Sequence, residues 1–109
     1  MVSVEPIWVE NYPFTATHVA LPKTNLLVVS NHIGYVMCGA LDISLLREQL
    51  AHRGIIAARA TGVKTMAELL EGTVESCTQT AESLGIQAGM PIQAALELLG
   101  QEEMRQKED

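Results

Sequence analysis

Gly34-Tyr35-Val36-Met37-Cys38-Gly39-Ala40-Leu41-Asp42 is the stretch whose reading decides the fold. An apolar, β-favouring run carries a thiol, meets the small pair Gly39-Ala40 and stops at an acid. The hydrophobic period then changes. Ile43, Leu46 and Leu50 recur at three and four, with Leu45 beside them, as on one face of a helix. Asp42 suits the N-cap, because its carboxylate accepts unpaired amides of the first turn. His52 and Arg53 place cations in the last turn, and Gly54 suits the left-handed closing position. Residues 55–60 are again short and apolar, and Gly62 ends them. A strand, a helix and a second strand joined by short turns read as a right-handed crossover between parallel strands.

Outward from this unit, the N-terminal side reads as hairpins. Residues 2–9 are β-rich and contain Pro6, which cannot donate to a ladder, so this strand lies at an edge or is irregular. Asn11-Tyr12-Pro13 supplies a turn into residues 14–21. Leu21-Pro22-Lys23-Thr24-Asn25 breaks that run, and Leu26-Leu27-Val28-Val29 follows as a strand covered on both faces. Residues 30–34 read as a hairpin loop. The C-terminal side is helical. Thr65-Met66-Ala67-Glu68 fits a capping box, and Gly72 interrupts the helix it starts. Val74, Cys77, Ala81 and Leu84 mark the stripe of a further helix closed by Gly85. Pro91 opens a last helix whose buried face is Ile92, Ala95, Leu96 and Leu99, with Gly100 at its end. The expectation is one α+β domain over residues 1–100. It has a mixed β-sheet of about five strands, built of N-terminal hairpins and one right-handed β-α-β crossover, with C-terminal helices packed on it. Residues 101–109 are polar and are expected to fray.

Composition narrows the function classes. A chain of 109 residues is one domain. It hides roughly 60–70% of the surface exposed when unfolded. The core is aliphatic, since the chain has one Trp, one Phe and two Tyr. With so few large side chains, a partner copy is expected to complete the burial, giving a homo-oligomer. Seven basic residues are scattered, no two adjacent, against a net charge of −6, which argues against nucleic acid as a partner. Cys38 and Cys77 do not make a disulfide framework. The first nine residues carry Glu5 and Pro6 and no basic start, unlike a secretory leader. No stretch approaches the ~20 apolar residues of a membrane span. A cytoplasmic protein with reduced thiols and no membrane contact is the expectation.

Several segments resemble the YunC-like family of small bacterial and archaeal proteins. They are Leu21-Pro22-Lys23-Thr24-Asn25, Gly34-Tyr35 with Met37-Cys38-Gly39-Ala40-Leu41-Asp42, Arg53-Gly54-Ile55, and Ala58-Arg59-Ala60 with Gly62-Val63. Leu84-Gly85-Ile86 and Gly89-Met90 fit it too. The resemblance runs from about Val4 to Leu99. It implies a compact α+β fold and brings no reaction and no established catalytic residues.

Ligands of parallel sheets favour the crevice beyond the carboxyl ends of the strands. By analogy, that rule groups Cys38, Asp42, Arg59, Thr61 and Gly62 at one rim; Lys64, in the following turn, is an anion holder or simply a surface lysine. Cys38 is the candidate nucleophile, if a helix N-terminus or cation favours its thiolate. The alternative is a small hydrophobe packed in a strand. Asp42 is a ligand-holding acid or simply the helix cap. Arg59 cannot be neutralised, so it pairs with an acid such as Asp42, binds an anionic ligand or reaches solvent. His18, His32 and His52 show no metal-ligand spacing, and no phosphate-binding glycine fingerprint is present, so no metal or cofactor is expected. The expected role is a self-associating structural or small-molecule-binding module. Its crevice near Asp42 and Arg59 takes a small anionic or carboxylate ligand. One alternative is a small enzyme using Cys38 as nucleophile or Arg59 as anion clamp. A second is a protein-binding adaptor using the apolar edge strand near Pro6 and Trp8.

Overall fold

A computed structural model of the chain describes residues 2–22, 24–39 and 54–108. The described strands are β1 (Val2–Val9), β2 (Tyr12–Leu21), β3 (Thr24–Ser30), β4 (Gly34–Met37), β5 (Ile56–Arg59) and β6 (Ser76–Cys77). They form one sheet in chain order. Every neighbouring pair is antiparallel except β4 and β5, which are parallel. This is the mixed sheet read from the sequence, with a sixth strand added. The parallel pair is the expected one. The segment expected to form the connecting helix, with Asp42, His52 and Arg53, lies outside the described residues.

Local chemistry explains the hairpins. β1 and β2 turn through Glu10 and Asn11, both at positive φ (51° and 73°), as a two-residue turn matched to strand twist requires. β1 is an edge strand, where Pro6 leaves no interior ladder bond unmade. Between β3 and β4, the Asn31 side chain accepts from the amides of Ile33 and Gly34 (3.1 and 3.0 Å) and donates to the Leu99 carbonyl (3.0 Å).

Strand alternation sorts the sheet into two faces. Phe14, Ala16, Leu27, Val29, Val36 and Ala58 face the core. Among the described residues, three helices cover that side: α1 (Met66–Glu71), α2 (Gln79–Ser83) and α3 (Ile92–Glu108). They add Leu69, Ala81, Ile92, Leu96 and Leu99 to the core. The opposite face of β1 to β3 carries no ionisable side chain. Val2, Val4, Pro6 and Trp8 of β1 stand on it beside Pro13, Thr15, Thr17 and Val19 of β2. Trp8 is 70% exposed, with Val2 and Val4 at 65% and 62%.

The capping box at Thr65 is present, with Glu68 N–H donating to Thr65 Oγ1 (3.1 Å) and Thr65 N–H to Glu68 Oε1 (3.1 Å). Two readings are corrected. The helix expected across Val74, Cys77, Ala81 and Leu84 is a strand followed by a short helix, because Cys77 pairs with Ala58 at the sheet edge and Thr78 caps α2. Apolar spacing of three and four arises there from two elements rather than one. The last helix also continues past Gly100, through the polar segment expected to fray, to Glu108. Gly100 is not a terminator, because it is where the Tyr12 ring lies against the helix. No helix among the described residues is long and apolar enough to cross a membrane.

Candidate functional site

The parallel register sets Met37 beside Arg59, and Ala60 N–H donates to the Met37 carbonyl (3.0 Å). The carboxyl ends of β4 and β5 therefore share one rim. A methyl group on Gly39 would come within 3.6 Å of Thr61 Cγ2, so Gly39 and Thr61 are neighbours there. Gly62 comes next at φ +75°, a backbone conformation that disfavours side chains. It turns the chain toward Lys64 and the start of α1. Glu68 of the capping box also accepts from the Lys64 amide (2.8 Å), which holds this turn to the helix end.

A cleft of about 400 Å³ opens beside the turn, lined by Thr24, Asn25, Gly62, Val63 and Lys64. The amide of Asn25 is oriented by two contacts. It donates through Nδ2 to the Lys64 carbonyl (3.3 Å), so Oδ1 is left to accept from His18 Nε2 (3.0 Å). That pattern assigns the His18 proton to Nε2 when the ring is neutral. Among the described residues, no carboxylate pairs with the Lys64 ammonium. The cleft thus presents a cation, a hydroxyl and an amide held in place by its neighbours.

The candidates drawn from the sequence divide between two sides of this rim. Cys38 lies on the core face with Val36, Ala58 and Ala60 and is 4% exposed. Its Sγ–H donates to the Asn25 carbonyl (3.6 Å), and its amide to the Leu27 carbonyl (3.1 Å). A buried thiol donating to a backbone carbonyl packs as a small apolar group. Arg59 lies on the other face, one residue out of phase with Ala58 and Ala60. Its guanidinium grips Glu75, with Nε to Oε2 at 2.9 Å and Nη2 to Oε1 and Oε2 at 3.0 and 2.7 Å. Arg59 and then Ser76, both donating to Glu75, hold its carboxyl below the usual range. Cys38 and Arg59 thus share an end of the sheet and not a face. Gly62 and Lys64 line the cleft, with Thr61 at its rim, and Asp42 lies outside the described residues.

Sequence reasoning missed Asn25, Thr24 and Glu75. Asn25 sits in a segment read as a strand break, and its partner His18 is seven residues away on the neighbouring strand. Glu75 was hidden by the helical spacing around it.

The family described as "Domain of unknown function (DUF1805)" matches residues 37–99, more than half of the chain. The chain belongs to the DUF1805 family. A relative from Bacillus subtilis (strain 168), "Uncharacterized protein YunC", is 54% identical over 96 residues, covering 88% of this chain and 95% of that protein. The crystal structure of "a Protein of Unknown Function TA1206 from Thermoplasma acidophilum" superposes with a TM-score of 0.82 at 28% identity, covering 92% of this chain and 94% of that one. The resemblance read from the sequence segments is therefore correct. The DUF1805 match begins at Met37 and so includes Gly62 and Lys64, while Thr24 and Asn25 come from the hairpins before it.

Proposed function

We propose that this DUF1805 chain is a small-molecule-binding module that self-associates, and that it takes a small anion or carboxylate at the shared rim of β4 and β5. One observation carries the reading. The parallel pairing of Met37 with Arg59 brings Gly62 and Lys64 against Thr24 and Asn25 around a cleft of about 400 Å³. Lys64 supplies the charge, Thr24 a hydroxyl donor, and the Gly62 turn lets backbone approach the ligand closely. A nucleophilic role for Cys38 is disfavoured by its burial and by its hydrogen bond to Asn25. Arg59 acts as a structural ion pair with Glu75 in this reading rather than as an anion clamp.

The test is a backbone-amide NMR titration with inorganic phosphate and with succinate. Saturable shifts at Asn25, Gly62 and Lys64 are expected, with affinity about tenfold lower in Lys64→Met, the loss of one charge-assisted contact. Shifts scattered over the surface, or unchanged affinity in Lys64→Met, would overturn the assignment.

Self-association rests on a different observation, the uncharged outer face of β1 and β2 with Trp8, Val2 and Val4 exposed. A chain of net charge −6 repels its copies, and this face is where two copies meet without opposing charges. Light scattering is expected to give a multiple of 11.8 kDa, reduced toward the single-chain mass by Trp8→Glu. A single-chain mass for the unaltered protein would remove this part of the proposal and leave the cleft intact.

A further inference from the structure

At the opposite end of the sheet, a groove of about 420 Å³ runs between the β1–β2 hairpin, the β3–β4 loop and the last turns of α3. Its walls are the apolar Pro6, Pro13 and Phe14. Its polar groups include Glu103 and Lys107, one helical turn apart on α3. Glu103 is 4% exposed, an unusual burial for a carboxylate. Among the described residues, only one of its oxygens is engaged. Oε1 accepts from the His32 amide (3.1 Å) and from His32 Nδ1. Oε2 has no hydrogen bond among the described residues, and no side-chain oxygen among them is both sealed from solvent and unpartnered. Oε2 therefore keeps some exposure, and Glu103 is among the residues that line the groove.

Charge settles what fits there. Burial by itself would raise the Glu103 carboxyl. The His32 ring and amide, with the charge of Lys107, outweigh that and hold it below the usual carboxylate range. Glu103 is thus an anion at neutral pH. Lys107 is exposed and has no carboxylate within ion-pair distance among the described residues. A simple cation in the groove would meet Lys107, and a simple anion would meet Glu103. A molecule carrying both charges satisfies both groups, and its chain lies over Phe14 and the two prolines.

We propose that this groove is a second binding site, for a small zwitterion whose ammonium meets Glu103 Oε2 and whose carboxylate meets Lys107. The β3–β4 loop is pinned to α3 by Asn31 through the Leu99 carbonyl, so the His32 contact that aims Glu103 is built in before a ligand arrives.

The experiment is an NMR titration of the whole chain with straight-chain ω-amino acids from glycine to 6-aminohexanoate, with ethylammonium and acetate as single-charge controls. At least one zwitterion is expected to shift the His32 amide and the Glu103 carboxyl saturably. Either control is expected to bind about tenfold more weakly, the loss of one charge contact. Lys107→Met, a change at an exposed position that does not threaten folding, is expected to weaken binding by a similar factor. Glu103→Gln is expected to abolish it. Absence of saturable shifts from every zwitterion, equal binding of a control, or unchanged affinity in Lys107→Met would overturn the proposal. Reporters at His32 and Glu103 are separate from those at Gly62 and Lys64, so occupancy of the two sites is read independently.

Discussion

Replacing Gly34 by alanine is expected to destabilise the protein by at least about 3 kcal/mol, the upper end of ordinary overpacking. For a chain of this size that lowers Tm by roughly 13 °C. Gly34 opens β4 and pairs with Ile56 in the parallel register. A methyl group there would sit 2.6 Å from the Ile56 carbonyl oxygen, 2.9 Å from Leu99 Cδ2 and 3.0 Å from Ile56 Cβ. The side-chain contact alone can relax by a rotamer change. The carbonyl cannot, because moving it separates β4 from β5, and α3 prevents escape on the other side. The substitution also strikes the one pairing on which the rim depends, so ligand-induced shifts at Gly62 and Lys64 should weaken together with stability. Thermal unfolding tracked by circular dichroism checks it. A Tm within two or three degrees of the parent's, about the effect of a harmless surface change, would mean that the close approach of β4 to β5 is wrong.

Leu96→Ala is expected to cost about 3–4 kcal/mol, as truncation of fully buried leucines does. Leu96 is wholly buried on α3, in the cluster that holds Leu69, Ile92 and Leu99 beneath the sheet. The core has a single Phe and no buried Trp, so no large ring is available to collapse into the space left behind. A drop in the urea midpoint with an unchanged slope is the signature of lost stability without a change in the surface exposed on unfolding. Met104→Ala on the same helix is the contrast. Met104 is 44% exposed, and its loss is expected to change stability by less than about 0.5 kcal/mol. Equal effects at the two positions would place α3 in the wrong rotation against the sheet.

Much of the architecture was legible where local chemistry and periodicity agree. Pro6 marked an edge strand, Thr65 and Glu68 marked a helix start, and the apolar runs around Val36 and Ala58 marked two neighbouring strands. Reading failed where two elements imitate one. Val74, Cys77 and Ala81 keep helical spacing across a strand, a cap and a short helix, since spacing carries no record of which partner claims a residue. It failed again at Gly100, where a residue that often ends helices instead admits the ring of Tyr12.

The candidate site divides the same way. Gly62 and Lys64 were recognisable because a turn after a strand needs a glycine and exposes the residues just beyond it. Asn25, His18 and Glu103 were not, because each is defined by a partner brought from elsewhere: Lys64 is 39 residues from Asn25, and His32 is 71 from Glu103. Alternation within a strand, a local property, already placed Cys38 and Arg59 a residue out of phase once their strands were aligned. The alignment itself was the missing quantity.

The order of residues alone determined most element types, the aliphatic core and the acidic surface, because propensity, capping and hydrophobic period act over a few neighbouring residues. Tertiary structure alone decided the register between strands, which face each polar group occupies, and that one oxygen of Glu103 has no partner among the described residues. Those outcomes depend on long-range pairings whose free energies are set by packing between distant segments.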